Sequence, residues 1–264
     1  MLARRLIVNG IIMTYGSANL HQYELSKAST LVGAFFFEKK YNTLIQNIIK
    51  GALMTEKIKV FKHNSICIDV GDRAVYVDPF EMDKTPHDAA FILVTHDHYD
   101  HFSPEAIEKV ANKNTVLVVP EKMKSKAAEV AAVVGKIEYV NPGASYEVEG
   151  LQFETVAAYN ILKPFHPKSA GWVGYIISVD GKRIYVAGDT DATKEAKAVN
   201  CDIALVPVGG TYTMDAKKAA ELINTIAPEV AIPVHYGLIT GTSKNAGEEF
   251  SRLVKSPVKV EVRI

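Results

Sequence analysis

The sequence predicts an α/β protein of two β-sheets packed together with helices outside, and three observations carry that prediction. From Ile58 onward, short runs rich in Val, Ile and aromatic residues alternate with stretches of helical spacing. The strand-like runs fall into two clusters with helices interspersed, which suits one layered domain. Several of them end on a histidine, aspartate or asparagine, so polar groups collect where strands stop.

The elements follow in order. "KIKVFKHNSICIDVG" and "RAVYVDPF" read as strands joined by a Gly71-Asp72 turn. "AFILVTH" is a buried strand that delivers His96 at its end. "SPEAIEKVANK" starts a helix with Ser103 as N-cap, Pro104 at the first helical position and Glu105 in the first turn. "TVLVVP" is a strand and "EKMKSKAAEVAAVVG" a helix closed by Gly135. "KIEYVNPGASYEVEGLQFETVAAYN" holds several short strands with Pro-Gly and Glu-Gly turns. "WVGYIISVDGKRIYVAGDT" forms a hairpin about Asp180-Gly181, and Asp191 is placed to cap the stretch beginning "ATKEAK". "DIALVPVGG", "DAKKAAELINTIA" and "VAIPVHYG" form a βαβ unit. A helix near "AGEEFSRLVK" and the strand "VKVEVRI" finish the chain.

Composition narrows the function classes. Of 264 residues 48% are hydrophobic and 23% charged, ordinary for a globular domain, and the formal net charge is +0. Nothing in that balance invites a nucleic acid or a membrane surface, and no apolar run reaches a membrane span. The expected partner is a small-molecule substrate. Cys67 and Cys201 are isolated in apolar stretches and read as buried free thiols of a cytoplasmic protein.

Residues 1–53 differ from the body, residues 54–264. They hold six basic side chains against two acidic ones, leaving 24 basic and 28 acidic in the rest. "LVGAFFF" (31–37) is the strongly apolar block, and neither helical nor strand periodicity is sustained. "KGALM" (50–54) back-translates to codons that can contain AGGAG just ahead of an ATG. The expectation is that residues 1–53 are an over-extended reading of the gene and that translation starts at Met54; the intact mass of the endogenous protein checks it.

The chemistry lies in "VTHDHYDHFSP" (94–104), where three histidines and two aspartates occupy six consecutive positions, His96 to His101. A solvated loop could hold one or two such groups. The sequence also ends strands on Asp78, Asn160, Asp189 and His235, and rigid strand ends are where ligand groups can be positioned. Imidazole and carboxylate together suit Zn²⁺ or Mn²⁺, with Fe²⁺ possible, and no thiolate in the set demands zinc. There is no G-x-S-x-G elbow, phosphate-binding loop or G-x-G-x-x-G fingerprint.

"HDHYDH" fits the H-x-H-x-D-H signature of the metallo-β-lactamase fold hydrolases, and "VDPF", "AGDTD" and "PVHYG" fit the flanking motifs in order. Residues 58–264 resemble that family throughout. "AYN" then "FHP", "GWVGY" and "GGTYTM" look most similar to the group near the L-ascorbate-6-phosphate lactonases. The resemblance implies an αββα four-layer sandwich and a metal-dependent hydrolase with two divalent ions and a hydroxide between them. His96 and His98 would hold one ion, Asp100 and His101 the second. Asp189 would bridge them, His235 would complete the second, and Asp100 would orient or deprotonate the nucleophile. The substrate class stays open between a phosphodiester and a lactone or other cyclic ester.

The chain departs from the family's pattern at the third motif, where Asn160 stands in place of a histidine. His166 could fold back as a metal ligand or substrate contact, Asn160 could be a weak ligand or hydrogen-bond donor, or the first site could lack a protein ligand. Asp78 is expected behind a ligand histidine, orienting it through its ring N–H, unless it is only a turn residue before Pro79. His63 either supports the site in the same way or is a core histidine. Tyr212, by analogy, and Tyr236, beside a ligand, are candidates for the substrate pocket. The competing readings are a metal-binding scaffold without turnover and a di-iron redox enzyme.

Overall fold

The computed structural model describes residues 4–8, 11–15 and 54–264. The chain divides into two compact units, Met1–Ala52 and Leu53–Ile264. In the first, β1 (Arg4–Val8) pairs antiparallel with β2 (Ile11–Tyr15), from Arg4↔Tyr15 to Val8↔Ile11. The apolar block 31–37 and the proposed start context at 50–53 lie outside the described residues.

In the second unit the first sheet runs in simple sequence order. It comprises β3 (Ile58–Val60), β4 (Ile66–Val70), β5 (Arg73–Val77), β6 (Ala89–Leu93), β7 (Val116–Pro120) and β8 (Lys136–Val140). Pairing is antiparallel through β5 and parallel from β5 to β8. The second sheet comprises β9 (Ser145–Val148), β10 (Leu151–Ala157), β11 (Val173–Val179), β12 (Lys182–Val186), β13 (Ile203–Pro207), β14 (Val230–Val234) and β15 (Lys259–Val260). It repeats the plan, antiparallel from β9 to β12 and then parallel to β15.

Alternation along the strands assigns each side chain to a layer, because successive residues face opposite sides of a sheet. Val75, Val77, Phe91 and Leu93 meet Tyr175, Ile177, Val186, Leu205 and Ile232 in the core between the sheets. Their neighbours Tyr76 and Ile92 pack outward against Ala106, Ile107 and Val110 of helix α1 (Pro104–Val110). On the far side Tyr185, Ala204 and Val206 pack against Leu222 and Ile223 of α4 (Ala216–Ile226) and Phe250 of α5 (Ala246–Leu253). Two further short helices are α2 (Lys124–Ala127) and α3 (Lys194–Lys197). The architecture is the αββα sandwich.

Local chemistry explains most boundaries. Ser103 caps α1, its hydroxyl accepting from the Ala106 N–H at 3.2 Å. Asp180 and Gly181 both have positive φ, 49° and 76°, the backbone that a tight two-residue hairpin between β11 and β12 requires. Three expectations are corrected. Residues 121–135 do not form one helix: a single α turn, α2, lies between 3₁₀ segments Glu121–Met123 and Ala128–Val130. The buried residues Met123, Ala127, Val130 and Val134 still keep helical spacing. Thr193, not Asp191, caps α3, because the Asp191 carboxylate accepts instead from the Ile161 N–H at 2.9 Å. The last strand is only two residues long.

Candidate metal centre

The strand ends deliver their polar residues to one place. Asp78 follows β5, His96 comes three residues after β6, Asp189 three after β12, and His235 directly follows β14. The turn after β6 adds His98, Asp100 and His101; a tight turn between β3 and β4 adds His63. His166 comes from the long connection between β10 and β11. Backbone strain marks the spot. His63, Asp78, His166 and His235 all have positive φ, between 47° and 59°, at a cost of about 1 kcal/mol each, and such strain concentrates at functional sites.

Two four-donor groups result. His63, Asp100, His101 and His235 offer atoms all within 4.8 Å of one another, and so do His96, His98, His166 and Asp189. All eight are buried except His98, which is half-buried. Asp189 reaches both groups: Oδ2 lies 3.1 Å from His166 Nε2, while Oδ1 lies 3.0 Å from His235 Nε2 and 3.3 Å from His101 Nε2. Asp100 Oδ2 sits 3.1 Å from His63 Nε2 and 3.4 Å from His235 Nε2.

These atoms suit cations better than one another. The Nε2 atoms of His96, His101, His166 and His235 and Oδ1 of Asp189 are buried without a hydrogen-bond partner, despite the short separations. Orphaned buried polar atoms each cost about 1–3 kcal/mol, so five converging ones fit a positively charged partner. No thiolate is near, since Cys67 and Cys201 are buried free thiols in other layers, both pushed up to about 12 by burial. The donor set therefore fits a hard or borderline divalent cation.

Electrostatics follow from this crowding. Burial alone would raise the carboxyl pKa of Asp189, but His235, His101 and His166 hold it well below the usual carboxylate range. Asp100 is likewise lowered, against burial, by the His235 and His63 imidazoles beside it. Burial depresses His96 and His98, aided by neighbouring imidazoles, and pushes His63 down to about 4. His101 and His235 go the other way: burial opposes their charge, yet the carboxylates around them raise both.

Behind the donors lies a buried network centred on Asp78. Its carboxylate accepts from the Thr95 N–H and hydroxyl, both at 2.7 Å, from the Asn64 amide at 3.0 Å, and pairs with His101 Nδ1 at 2.7 Å. The Thr95 hydroxyl, its proton directed to Asp78, faces His96 Nδ1 at 2.9 Å. Asp78 thus touches one histidine directly and a second through Thr95.

Other candidates land differently. His63, expected behind the donors, stands among them. Asn160 is a hydrogen-bond donor, its amide reaching the Tyr212 carbonyl at 2.8 Å and His166 Nδ1 at 3.2 Å. The Tyr212 ring is half-buried and meets Phe165 edge-on at 5.2 Å. Tyr236 is a correction: it is buried in the helix-side core, its hydroxyl donates to the Ile264 carbonyl, and a Cβ at Gly247 would strike it. It does not line a pocket. Gly209, just after β13, is approached closely; a Cβ there would lie 2.4 Å from the His235 carbonyl. Sequence reasoning missed Trp172, whose ring lies 5.0 Å from both His96 and His98.

Comparison with known proteins agrees with this fold. Residues 57–235 match the family model described as the beta-lactamase superfamily domain. A UPF0173 metal-dependent hydrolase of Thermoplasma acidophilum is 34% identical over 69% of this chain and 84% of its own length. Another, of Methanopyrus kandleri, is 32% identical over 73% of this chain and 89% of its own. Among solved structures, a Parabacteroides distasonis protein superposes with a TM-score of 0.66 at 30% identity, covering 78% of this chain and 91% of that one. The chain is a metal-dependent hydrolase of the β-lactamase superfamily, in the UPF0173 family.

Proposed function

We propose that this hydrolase uses two divalent cations, Zn²⁺ or Mn²⁺ with Fe²⁺ as the other candidate, to open a small lactone or similar cyclic ester in the cytoplasm. The observation that carries the reading is Asp189, whose two oxygens face two separate four-donor groups. His96, His98 and His166 would hold one cation, His63, Asp100, His101 and His235 the other, with Asp189 shared. Cations so held supply Lewis acidity, making water a competent nucleophile near neutral pH and polarising the scissile carbonyl.

The chain's own residues do the rest. Asp100, its carboxyl held below the usual range by neighbouring imidazoles, would orient the attacking water by accepting its hydrogen bond. Asp78 holds His101 and, through Thr95, His96 in fixed ring orientations. Trp172 covers one side of the His96–His98 pair and limits water there.

A cyclic ester is preferred to a phosphodiester because of what surrounds the donors. Tyr99, Ile161, Leu162 and Phe165, on the segments carrying His98 and His166, are large apolar side chains left exposed. Lys163, in the middle of that loop, is engaged by the Gly210 and Thr213 carbonyls. The test is metal content together with turnover of γ- and δ-lactones against bis(p-nitrophenyl) phosphate. About two ions per chain and faster lactone opening support the reading. Faster phosphodiester cleavage overturns the substrate class, and bound metal without turnover of either leaves a non-catalytic metal-binding scaffold.

A further inference from the structure

The histidines of the His96–His98–His166–Asp189 group do not have equivalent support. A histidine that binds a cation through Nε2 needs its proton on Nδ1, and that proton needs an acceptor. His96 has one in the Thr95 hydroxyl. His166 has the opposite, because its Nδ1 faces the Asn160 side-chain nitrogen at 3.2 Å.

The Asn160 amide cannot be read the other way round. The same nitrogen donates to the Tyr212 carbonyl at 2.8 Å, and exchanging amide oxygen for nitrogen would set two carbonyl oxygens face to face. An amide nitrogen only donates, so His166 Nδ1 must accept, and the ring proton sits on Nε2. That is the nitrogen aimed at the cluster, 3.1 Å from Asp189 Oδ2. Asn160 is buried, its backbone N–H also binds the His166 carbonyl at 2.8 Å, and its Oδ1 is buried without a partner. The acceptor that a cation-binding His166 requires is therefore on the same side chain, one amide rotation away, at the cost of the bond to Tyr212.

We propose that Asn160 sets the order in which the two cations bind. The His63–Asp100–His101–His235 group fills first, because it holds a carboxylate of its own and Asp78 backs His101, which outweighs the partnerless Nδ1 atoms of His63 and His235; the His96–His98–His166–Asp189 group fills second and more weakly, because His166 must exchange its tautomer against the Asn160 amide. Asn160 is a positioning residue acting through His166, and the inference rests on the two-cation reading above.

Two measurements on the full chain decide it. In metal-free protein with ¹⁵N-labelled histidine, ring correlation spectra assigned by comparison with His166→Ala are expected to show His166 protonated on Nε2; protonation on Nδ1 overturns the proposal. In calorimetric titration with Zn²⁺ or Mn²⁺, wild type is expected to bind in a tight and a weak step, with His166→Ala losing only the weak one. Asn160→Ala removes the opposing donor and Asn160→Asp supplies an acceptor. Both are expected to tighten the weak step, by on the order of tenfold for the alanine. If both weaken it or leave it unchanged, Asn160 merely anchors its loop and the proposal fails. A single step that His166→Ala leaves intact defeats the two-cation reading itself.

Discussion

The two four-donor groups use the same side-chain types but are built on different supports. In one, His63, Asp100, His101 and His235 come from a tight turn, the H-x-H-x-D-H turn and a strand end, and all four are buried. In the other, His96 and Asp189 stand at strand ends, but His98 is half-buried and His166 hangs on the long connection between β10 and β11. Donors on short turns backed by buried hydrogen bonds, as His101 is by Asp78, are pre-organised; a donor on a long loop is only as well placed as the hydrogen bonds of that loop. The sandwich thus makes one rigid half-site and one adjustable half-site, joined by Asp189.

The largest expected effect comes from breaking that joint. Asp189→Ala removes the carboxylate facing both groups, and metal content measured by mass spectrometry is expected to fall from about two ions per chain to one or fewer. Lactone turnover should drop roughly a thousandfold or more. Retention of both ions would show that the groups are independent and that the comparison has no shared element.

Weakening the rigid half alone should do less. Asp78→Asn keeps the shape of the buried network but replaces the carboxylate behind His101 with a neutral amide. Loss of such an outer partner typically costs 10–100-fold in metal affinity, so about 1.4–3 kcal/mol is expected on the tight step of a calorimetric titration. The weak step should move less, since Asp78 reaches His96 only through Thr95. Equal losses on both steps would mean that Asp78 supports the whole site and not one half.

How much of this was legible in the sequence follows the same division. Strand ends were readable because the alternation that buries Val75 and Val77 stops on a polar residue, and the H-x-H-x-D-H turn concentrates its donors in six positions. His63 was not readable as a donor, since its place depends on a left-handed turn between β3 and β4 that no spacing reveals. His166 was readable only as a candidate, because a loop that closes on itself through the Asn160 and His166 backbone has no periodicity. Tyr236 could have been excluded beforehand: it follows His235 at a strand end, and adjacent side chains there face opposite layers. Residues 121–135 kept the apolar spacing of a helix while their backbone tightened into 3₁₀ turns, so the pattern predicted the buried face but not the geometry.

The pH dependence of the metal-free protein separates the histidines in another way, through the stability of the fold and not through the affinity of the site. His63 titrates at about 4, against an ordinary value of 6.5 when the chain is unfolded. Between those values the unfolded chain binds more protons, so stability is full above pH 6.5 and is lost as pH falls toward 4, by about 3 kcal/mol for His63 alone. His101 and His235 are raised instead; their contribution is present below pH 6.5 and is lost as pH rises through their folded values. Urea midpoints of the metal-free protein should therefore peak near pH 6.5 and fall on both sides. Saturating Zn²⁺ or Mn²⁺ takes the place of the protons on His101 and His235, so the alkaline decline should flatten first. An alkaline decline that persists unchanged with metal bound would show that those two histidines are not the groups the cation occupies, and the rigid half-site would have to be reassigned.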